Sequence, residues 1–585
     1  MLVANHNTTE QTASAPSPAT YPSWRFGDLT AAELMPRLQK HLVTQDSKAN
    51  WQLVWLNNDG RPVIGVLPKT SWSVYPTNHA LSDDTLIPYK VTKYCRDVCT
   101  DDQTVRNWQL TTTHMSYTTW QEELIAYSQC YENSSNDLAL LDKEQERPNY
   151  HHGLIGFIGY DIAAYDLSPN ANIQLAAQPC AILGHYDIYL SPINECRKSV
   201  WQLKVNKIYD DNNNGENERK NAFITTLTSY LNELDEELSD KNKHLAQTRL
   251  TLLSQPLLSQ LTPLALTARW AKNDYQEAFE QTQDYLQQGD CYQINLTQEW
   301  HGRLAHQNTF DKSLSNLIDY LPSLHRNTKA PFAGYLESSC LDDEVDTNIQ
   351  DHTRLSVNSI AKKNSFELLS CSPELFFTFT RDNETGKHHI RTKPIKGTMP
   401  RGATPEQDDY YKQQLIDSEK DRAENVMIVD LLRNDLGKYA KIGSVKVPQL
   451  FAIESFSNVH HMVSTISAEL KTDTHPLTVL FGSLPAGSIT GTPKKRAVEI
   501  ISELEMAPRG AYCGTMGYMN FDGSGQWNVL IRTLQANHNI DKGGNINLWA
   551  GGGITVASDY EAEYQECLDK VGNLLSVLSQ ENLGQ

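Results

Sequence analysis

The sequence predicts a protein of the α+β class. Strand-like and helix-like segments alternate irregularly along its 585 residues, whereas a doubly wound fold requires a regular alternation of strands and helices. Hydrophobic residues make up 39% of the chain, which is enough to build a large buried core and excludes a wholly disordered protein.

The N-terminal part contains several strand-like segments. Residues 51–68, WQLVWLNNDGRPVIGVLP, predict a hairpin that turns at Asn57–Gly60. The segment HHGLIGFIGYDIAAYDL at 151–167 begins as a buried strand, and AILGHYDIYL at 181–190 predicts another strand. Residues 1–22 lack the basic start and apolar block of a signal peptide, so we expect a disordered tail there.

The second half of the chain has clearer helices. A helix is predicted within 268–290, closing at Gly289, and the alternating segment CYQINLTQEW that follows it predicts a strand. The segment 418–437 predicts a helix that is hydrophobic nearly all round and therefore buried. The last helix should begin with a capping box of Ser558 and Glu561. Its apolar stripe consists of Tyr564, Cys567, Leu568, Val571, Leu574, Leu575 and Leu578.

The charge of the chain limits its partners. Its formal net charge is −20, so it should repel nucleic acids and anionic membranes. No apolar run approaches the roughly 18 residues of a membrane span. The 10 scattered cysteines suggest reduced thiols, and a cytoplasmic location is expected.

Two pairs of acidic residues are candidate metal ligands. Asp421 with Glu424, and Glu563 with Glu566, are each three residues apart, which places both members on one helix face. Oxygen ligands without neighbouring Cys or His favour a hard cation, so Mg²⁺ is the natural candidate. The alternative is that Glu563 and Glu566 only solvate the outer face of the last helix.

Two features could bind an anionic substrate inside this acidic protein. Gly551, Gly552 and Gly553 end an apolar strand, where their backbone N–H groups could approach a carboxylate. Arg532 is expected within a strand, where its guanidinium needs an anionic partner. An ordinary glycine turn and a structural Arg–Asp pair are the alternatives.

Three residues are candidates for the chemical step. Lys396, in RTKPIKGTMPRG, could act as a nucleophile if burial or nearby cations remove its proton. Glu374, in SCSPELFF, could act as an acid or base at the end of a strand, and His461 could act as a general acid. On their own, Lys396 has a plainer interpretation as a surface lysine and His461 as a buried core histidine, and none of the three is decisive singly.

Together these segments resemble the chorismate-utilising enzymes, which include the component I subunits of anthranilate synthase and aminodeoxychorismate synthase and the isochorismate and salicylate synthases. The resemblance spans about 268–575. It rests on GDCYQINLTQ, PFAGYLE, LSCSPELFF, PIKGTMPRG, KDRAENVMIVDLLRNDLG, FSNVHHMVSTI, PAGSITGTPKKRA, RGAYCGTMGY, IRTL and AGGGITVASDYEAEYQECLDK, which occur in the family's order. It implies an anthranilate synthase component I-like fold, a two-lobed antiparallel β-sandwich with helices outside and interleaved lobes.

The resemblance also implies roles for the candidate residues. Glu424 and Glu566 would hold Mg²⁺, supported by Asp421 and Glu563. Lys396 would attack the chorismate ring, with Glu374 or His461 as the acid. The substrate carboxylates would be held by Arg532, Tyr512, Ser488 and the amides of Gly551, Gly552 and Gly553, with Gln293 also at the substrate.

Two positions indicate a branch of the family. Lys396 in PIKGT is similar to the signature of aminodeoxychorismate synthase component I, where the anthranilate branch usually has Ala. Water-adding members have a lysine near the position of Gln293. The resemblance therefore implies amination of chorismate at C4, giving 4-amino-4-deoxychorismate for p-aminobenzoate and folate biosynthesis. Anthranilate synthase component I and a non-catalytic chorismate or amino-acid binder are the alternatives.

The resemblance also implies a partner and a domain plan. No glutaminase elbow with its Cys-His-Glu set is visible, so a separate class I glutaminase subunit should supply ammonia. An N-terminal region is expected over 23–265, with polar surface insertions near 95–148 and 208–262. A chorismate-binding catalytic domain is expected over 266–580, with a similar insertion near 338–364.

Overall fold

Two large antiparallel sheets form the centre of the protein. The computed structural model describes residues 22–46, 51–77, 89–97, 107–132, 147–193, 200–206, 222–239, 261–304, 316–340, 364–456, 459–539 and 543–580. Within these ranges each sheet contains 12 strands, and the pairings in both sheets are antiparallel. The predicted α+β class and the antiparallel sheets implied by the resemblance are confirmed.

The order of the strands across each sheet differs from their order along the chain. Sheet A runs from edge to edge through β1 (Ser23–Trp24), β10 (Trp201–Val205), β9 (Ile188–Pro192), β3 (Val63–Val66), β2 (Leu53–Leu56), β13 (Gly334–Cys340), β14 (Asn364–Ser370), β23 (Thr533–Asn539), β24 (Gly543–Ile554), β12 (Gln293–Leu304) and β11 (Thr267–Ala268), with β20 (Gly491–Thr492) beside β12. Sheet B runs through β17 (Ile395–Pro400), β19 (Val459–Glu469), β16 (His388–Lys393), β15 (Leu375–Arg381), β22 (Gly525–Val529), β21 (Thr515–Asn520), β7 (Gly153–Ile158), β8 (Ala181–His185), β4 (Thr70–Pro76), β5 (Tyr89–Asp97) and β6 (Asn107–Met115), with β18 (Lys446–Ser455) beside β19.

Helices cover the outer faces of both sheets. The helices over sheet A are α1 (Ala31–Gln45), α4 (222–239), α5 (Lys272–Gln288), α6 (Leu317–Thr328), α10 (Lys494–Glu505) and α11 (Tyr560–Ser579). Those over sheet B are α2 (Tyr117–Glu132), α3 (Tyr160–Leu167), α8 (Glu419–Gly437) and α9 (Pro476–Ser483), and α7 (Pro405–Asp417) follows β17. None of the helices in the described ranges is long and apolar enough to cross a membrane.

The apolar strand β2 shows how the layers share a core. Its residues Val54 and Leu56 pack between the two sheets, against residues of sheet B such as Phe157. Leu53 and Trp55 point the opposite way and pack beneath the helices of sheet A. Because both faces of the strand are covered, all four of its positions are buried and apolar.

The two predicted regions are interleaved rather than stacked side by side. β2 pairs with β13 in sheet A, and β7 pairs with β21 in sheet B, so each sheet contains strands from both sides of residue 265. The interleaving implied by the resemblance is therefore present. The exact domain limits stay a prediction.

Several local predictions are confirmed. The hairpin forms from β2 and β3, with Leu53 opposite Val66. Gly289 ends α5 in the left-handed conformation at φ 82°. In the last helix, α11, the seven predicted stripe residues are buried or pack against the core.

Other local predictions are wrong. The segment 181–190 belongs to two strands rather than one, because β8 lies in sheet B and β9 in sheet A. α8 is buried on one side only, and Val426 is 48% exposed. The first turn of α11 is capped by Asp559, whose side chain accepts a hydrogen bond from the N–H of Ala562, and not by a capping box at Ser558.

The described part of the first expected insertion contains a strand and a helix that belong to the architecture of sheet B. Within 95–148, β6 completes an edge of sheet B and α2 packs on that sheet with Trp120 and Leu124 buried. The packing of α2 on sheet B was not predicted because most of its residues are polar and its apolar face is narrow. Most of the other two insertions, 208–262 and 338–364, lies outside the described residues, although 222–239 forms α4.

Candidate active site

Lys396 and Glu424 are brought together by a close approach of β17 to α8. The Lys396 ammonium lies 3.1 Å from a carboxylate oxygen of Glu424. Gly397 makes the approach possible, because its φ is +81° and a Cβ there would lie 2.9 Å from the Cγ of Asp421. Burial opposes the charged form of Lys396, but Glu424, Glu566 and Glu374 together raise its pKa above the usual value.

The second acidic pair lies on the first two turns of α11. Glu563 is buried and accepts a hydrogen bond of 2.7 Å from the Ser558 hydroxyl, so Ser558 serves this carboxylate instead of capping the helix. Burial, followed by the charge of Glu566, raises the pKa of Glu563. Burial opposes ionisation of Glu566, but Lys570 and the other nearby lysines lower its pKa. Solvation of an outer helix face does not explain Glu563.

Lys396, Glu424, Glu563 and Glu566 form what we call the acidic cluster. Two further lysines, which were not among the predicted site residues, pair with its glutamates. The Lys420 ammonium lies 3.3 Å from Glu563 and 4.0 Å from Glu424, so it bridges α11 and α8. Lys570 lies 2.6 Å from Glu566 and donates a hydrogen bond of 2.7 Å to the carbonyl of Gly551. The spacing of four residues between Glu566 and Lys570 was a usable signal, whereas the contact of Lys420 with Glu563 joins two distant segments.

The glycines and Gln293 lie against the same cluster. Gly551, Gly552 and Gly553 come just before the final residue of β24 and pair with β12. A Cβ at Gly552 would lie 2.7 Å from a carboxylate oxygen of Glu563, and one at Gly553 would overlap the Gln293 amide and lie 3.3 Å from the Lys396 nitrogen. Gln293 is 2% exposed, and its Nε2 has no hydrogen-bond partner in the described structure.

Glu374 lies just before β15 in a buried position. Burial raises the pKa of its carboxyl to about 7, although the Lys396 ammonium acts in the opposite direction. Its backbone is held by Ser372, whose hydroxyl accepts a hydrogen bond from the Glu374 N–H and donates one to the carbonyl of Val529. A carboxyl group with this pKa can hold a proton near neutral pH and release it in a reaction.

His461 lies on β19 and faces the strand that carries Lys396. Its Nδ1 shares a hydrogen bond of 2.8 Å with the Thr398 hydroxyl. Burial, and then the guanidinium of Arg532, lower the pKa of His461 to about 4. The imidazole is therefore neutral at neutral pH and is a weaker proton donor than Glu374 in this environment.

Arg532 is not inside a strand, as the sequence suggested, but immediately precedes β23 with φ 51°. Its charge acts on both Glu374 and His461, and burial lowers the pKa of its guanidinium. Within the described ranges this guanidinium forms no hydrogen bond or ion pair, which rules out the structural Arg–Asp pair there. A cation that is largely removed from water and forms no ion pair in the described structure is suited to an anionic ligand.

The two remaining predicted residues stand apart from these contacts. Tyr512 is buried and stacks on Trp549 of β24, with ring centroids 5.9 Å apart. Ser488 is half-buried in a short 3₁₀ turn at Gly487–Ile489. The structure gives no direct contact of either residue with Lys396 or the acidic residues.

The carboxylates offer oxygen ligands of the type that Mg²⁺ prefers. The Lys420 ammonium between Glu424 and Glu563 shows that a cation fits between α8 and α11. Across the described ranges, no three His, Cys, Asp or Glu side chains converge closely enough to form a ready-made metal cage. Binding of a metal would therefore require the carboxylates to exchange their lysine partners.

Comparison with known proteins identifies the family to which this chain is similar. The family described as chorismate binding enzyme matches residues 95–576. Aminodeoxychorismate synthase component 1 of Escherichia coli is 41% identical, over 75% of this chain and 81% of that protein. The protein of the same name from Salmonella typhimurium is 36% identical, over 73% of this chain and 77% of that protein.

A solved structure supports the fold. Anthranilate synthase component I from Streptococcus pneumoniae is similar with a TM-score of 0.55, over 88% of this chain and 91% of that chain, at 20% sequence identity. The family match covers most of the chain and includes every candidate site residue from Gln293 to Glu566. The chain belongs to the family of chorismate binding enzymes.

Proposed function

We propose that the protein converts chorismate and ammonia into 4-amino-4-deoxychorismate, the reaction of aminodeoxychorismate synthase component I. The observation that carries this proposal is the contact of Lys396 with Glu424 beside Gly553 and Gln293, because it places a primary amine within the acidic cluster. The relatives that share 36% and 41% of their aligned residues carry that enzyme's name.

In the proposed first step, the neutral amine of Lys396 attacks C2 of the ring. The electron pair of the C1=C2 double bond shifts to C1–C6, that of C5=C6 shifts to C4–C5, the C–O bond at C4 breaks, and Glu374 donates a proton so that the hydroxyl leaves as water. In the second step ammonia attacks C4, both double bonds shift back, and Lys396 leaves as the neutral amine, while the ammonium formed at C4 returns its proton to Glu374. Chorismate and ammonia are thus consumed, and water is released.

Without an added cation, the nearby carboxylates oppose the first step. They stabilise its ammonium form, whereas attack requires the neutral amine. Glu424 and Glu566 would hold Mg²⁺, with Asp421 and Glu563 in support. When bound, Mg²⁺ would supply positive charge that neutralises these acids and one substrate carboxylate.

The remaining residues would bind and orient chorismate. Arg532, whose guanidinium has no internal partner, would pair with a carboxylate, and the amides of Gly551, Gly552 and Gly553 would add hydrogen bonds. Ser488, Tyr512 and the free amide of Gln293 would complete the substrate contacts. His461, held by Thr398, would serve as a neutral hydrogen-bonding group, with Glu374 as the main acid.

The ammonia would come from a class I glutaminase subunit. Both named relatives are called component 1, which implies a second component in those enzymes. Free ammonium salt should therefore replace the partner when the purified chain is assayed alone.

The test is an assay of the purified chain with chorismate, Mg²⁺ and an ammonium salt at mildly alkaline pH, with products identified by mass. We expect a C4-aminated product that retains its enolpyruvyl group, and its loss in Lys396→Ala. Lys387→Ala is a matched control, because Lys387 is an exposed lysine of the neighbouring region that pairs with Glu469. Anthranilate and pyruvate would instead identify the tryptophan branch, and binding without turnover, even with a glutaminase present, would support a regulator.

A further inference from the structure

Each of three glutamates in the acidic cluster faces its own lysine. Glu424 pairs with Lys396 at 3.1 Å, Glu563 with Lys420 at 3.3 Å, and Glu566 with Lys570 at 2.6 Å. Three negative charges are thus balanced by three positive charges that belong to the chain itself. An added divalent cation would give this group an excess of positive charge unless a lysine moved away or an anion bound with it.

Of the three lysines, Lys420 is the one that can leave at least cost. Its side chain is 49% exposed, compared with 19% for Lys396 and 35% for Lys570. Lys570 also donates a hydrogen bond to the carbonyl of Gly551, whereas Lys420, among the residues that the structure describes, pairs with carboxylates alone, Glu563 and more distantly Glu424. Its ammonium can therefore turn into solvent without leaving a buried backbone group unpaired.

Lys420 also occupies the position that a bridging cation would need. Its nitrogen lies between the Glu424 carboxylate of α8 and the Glu563 carboxylate of α11, and Glu563 is 143 residues from Lys420 along the chain. The buried Gln293 amide without a partner, beside Gly553 and Lys396, independently indicates that a polar ligand binds next to this cluster.

We propose that Lys420 is an internal stand-in for the metal, which Mg²⁺ displaces from Glu563 and Glu424. The identity of the anionic ligand, chorismate, rests on the proposed function, but the exchange of Lys420 for Mg²⁺ does not. The charges of the three glutamates are already balanced by those of the three lysines. The two positive charges of Mg²⁺ and the two negative charges of the substrate therefore compensate each other. Their binding is therefore positively coupled, and by linkage each raises the affinity for the other by the same factor.

Calorimetric titration with Mg²⁺ tests this without turnover. In ammonium-free buffer, Mg²⁺ is titrated into the protein alone and into the protein saturated with chorismate. We expect about tenfold tighter Mg²⁺ binding with chorismate present, within the usual range of coupling between two sites. In Lys420→Gln, Mg²⁺ alone should bind about tenfold more tightly than in the wild type, because no internal cation competes, and the coupling should shrink.

Two variants serve as controls. Lys420→Arg keeps the charge and should behave like the wild type. Lys272→Gln removes a lysine that pairs with Glu561 at 2.7 Å on the exposed side of α11, and should leave Mg²⁺ affinity unchanged. Thermal unfolding checks that each variant is folded.

Unchanged or weaker Mg²⁺ binding in folded Lys420→Gln would overturn the proposal. Equal Mg²⁺ affinity with and without chorismate would overturn the coupling. Neither readout depends on which product forms. A chain that yielded anthranilate could still show the lysine exchange, and an aminating enzyme could lack it.

Discussion

At the scale of single residues, the environment of Glu374 decides how the proposed proton transfer depends on pH. The carboxyl is buried, and its pKa of about 7 lies well above the ordinary value of 4.5. It therefore carries its proton below pH 7 and must ionise inside the protein above it. Ionisation of Glu374 thus has two effects. It removes the proton donor, which affects activity, and it creates a buried negative charge, which affects stability.

Glu374→Gln is expected to reduce turnover by about 10²–10⁴-fold, because an amide cannot donate the proton. The wild-type rate, measured at a fixed concentration of free ammonia, should fall as pH rises through about 7, and the variant should lack this fall. A pH profile that Glu374→Gln leaves unaltered in shape would assign the acid elsewhere.

The same substitution should stabilise the protein at alkaline pH. The folded pKa is raised, so the wild type loses stability as pH rises from about 4.5 through 7, by roughly 3 kcal/mol in total. The thermal midpoint of Glu374→Gln should therefore exceed that of the wild type at pH 8 and not at pH 4.

Gly397 is a second position where one residue controls the site. An alanine Cβ there would lie 2.7 Å from Leu415 and 2.9 Å from Asp421, in a backbone with φ +81°. Gly397→Ala should therefore push the first turn of α8 away from Lys396 and reduce activity by at least about tenfold, since small displacements of reacting groups are costly. Steady-state rates and thermal unfolding measure the two effects.

Gly443→Ala is the matched control for Gly397→Ala. Its φ is +78°, but no atom lies within 4 Å of the added Cβ. It should cost only about 1 kcal/mol for the left-handed conformation and leave activity intact. Equal losses of activity in the two variants would mean that the close approach to α8 is unimportant.

At the scale of elements, a buried carboxylate holds the start of α6 against sheet A. Glu367 accepts hydrogen bonds from the N–H of Leu317 at 2.9 Å, the Tyr335 hydroxyl at 2.5 Å and His538 Nε2 at 2.6 Å. Burial opposes protonation of His538, but the hydrogen bond and charge of Glu367 raise its pKa above 6.5. The helix start thus depends on a buried ion pair.

Glu367→Gln should destabilise the protein by roughly 3–5 kcal/mol, because it leaves a buried histidine without its anion. The pKa of His538 is raised by folding, so this stabilisation is complete below about pH 6.5 and is lost as pH rises through the folded pKa. Denaturant unfolding should therefore show a larger penalty at pH 6 than at pH 9.

Arg326→Gln is the control on the same helix. Arg326 pairs with Glu33 at 2.8 Å but is 59% exposed, so its loss should cost less than about 1 kcal/mol. A penalty as large as that of Glu367→Gln would contradict the distinction between buried and exposed pairs on α6.

The ends and buried faces of helices were predictable where the sequence of the helix itself determines them. Gly289 ends α5 and the apolar stripe of α11 is buried because spacing alone fixes both. Ser558 was misassigned because its hydroxyl serves Glu563, a tertiary role that overrides its preference for a cap. The contact of Lys420 with Glu563 was likewise not predictable, because it depends on how α8 meets α11.

At the scale of the whole molecule, the candidate site lies where the two sheets and their helices meet. Lys396 belongs to sheet B, and Gly553 and Gln293 belong to sheet A. α8 covers sheet B and α11 covers sheet A, and Lys420 joins them through Glu563. Assembly of the site therefore requires both halves of the fold, and motifs in sequence could indicate its members without indicating their arrangement.

This interleaving predicts a single unfolding transition for the described sheets. If the regions 23–265 and 266–580 were separate units, heating would melt them independently. Because β2 pairs with β13 and β7 with β21, loss of one region exposes strand edges in both sheets, so the two should unfold together. Calorimetry should give one peak whose van't Hoff and calorimetric enthalpies agree, and chorismate with Mg²⁺ should move the whole peak upwards. Two separable peaks, only one of which responds to the ligands, would show that the regions are energetically independent despite their shared sheets.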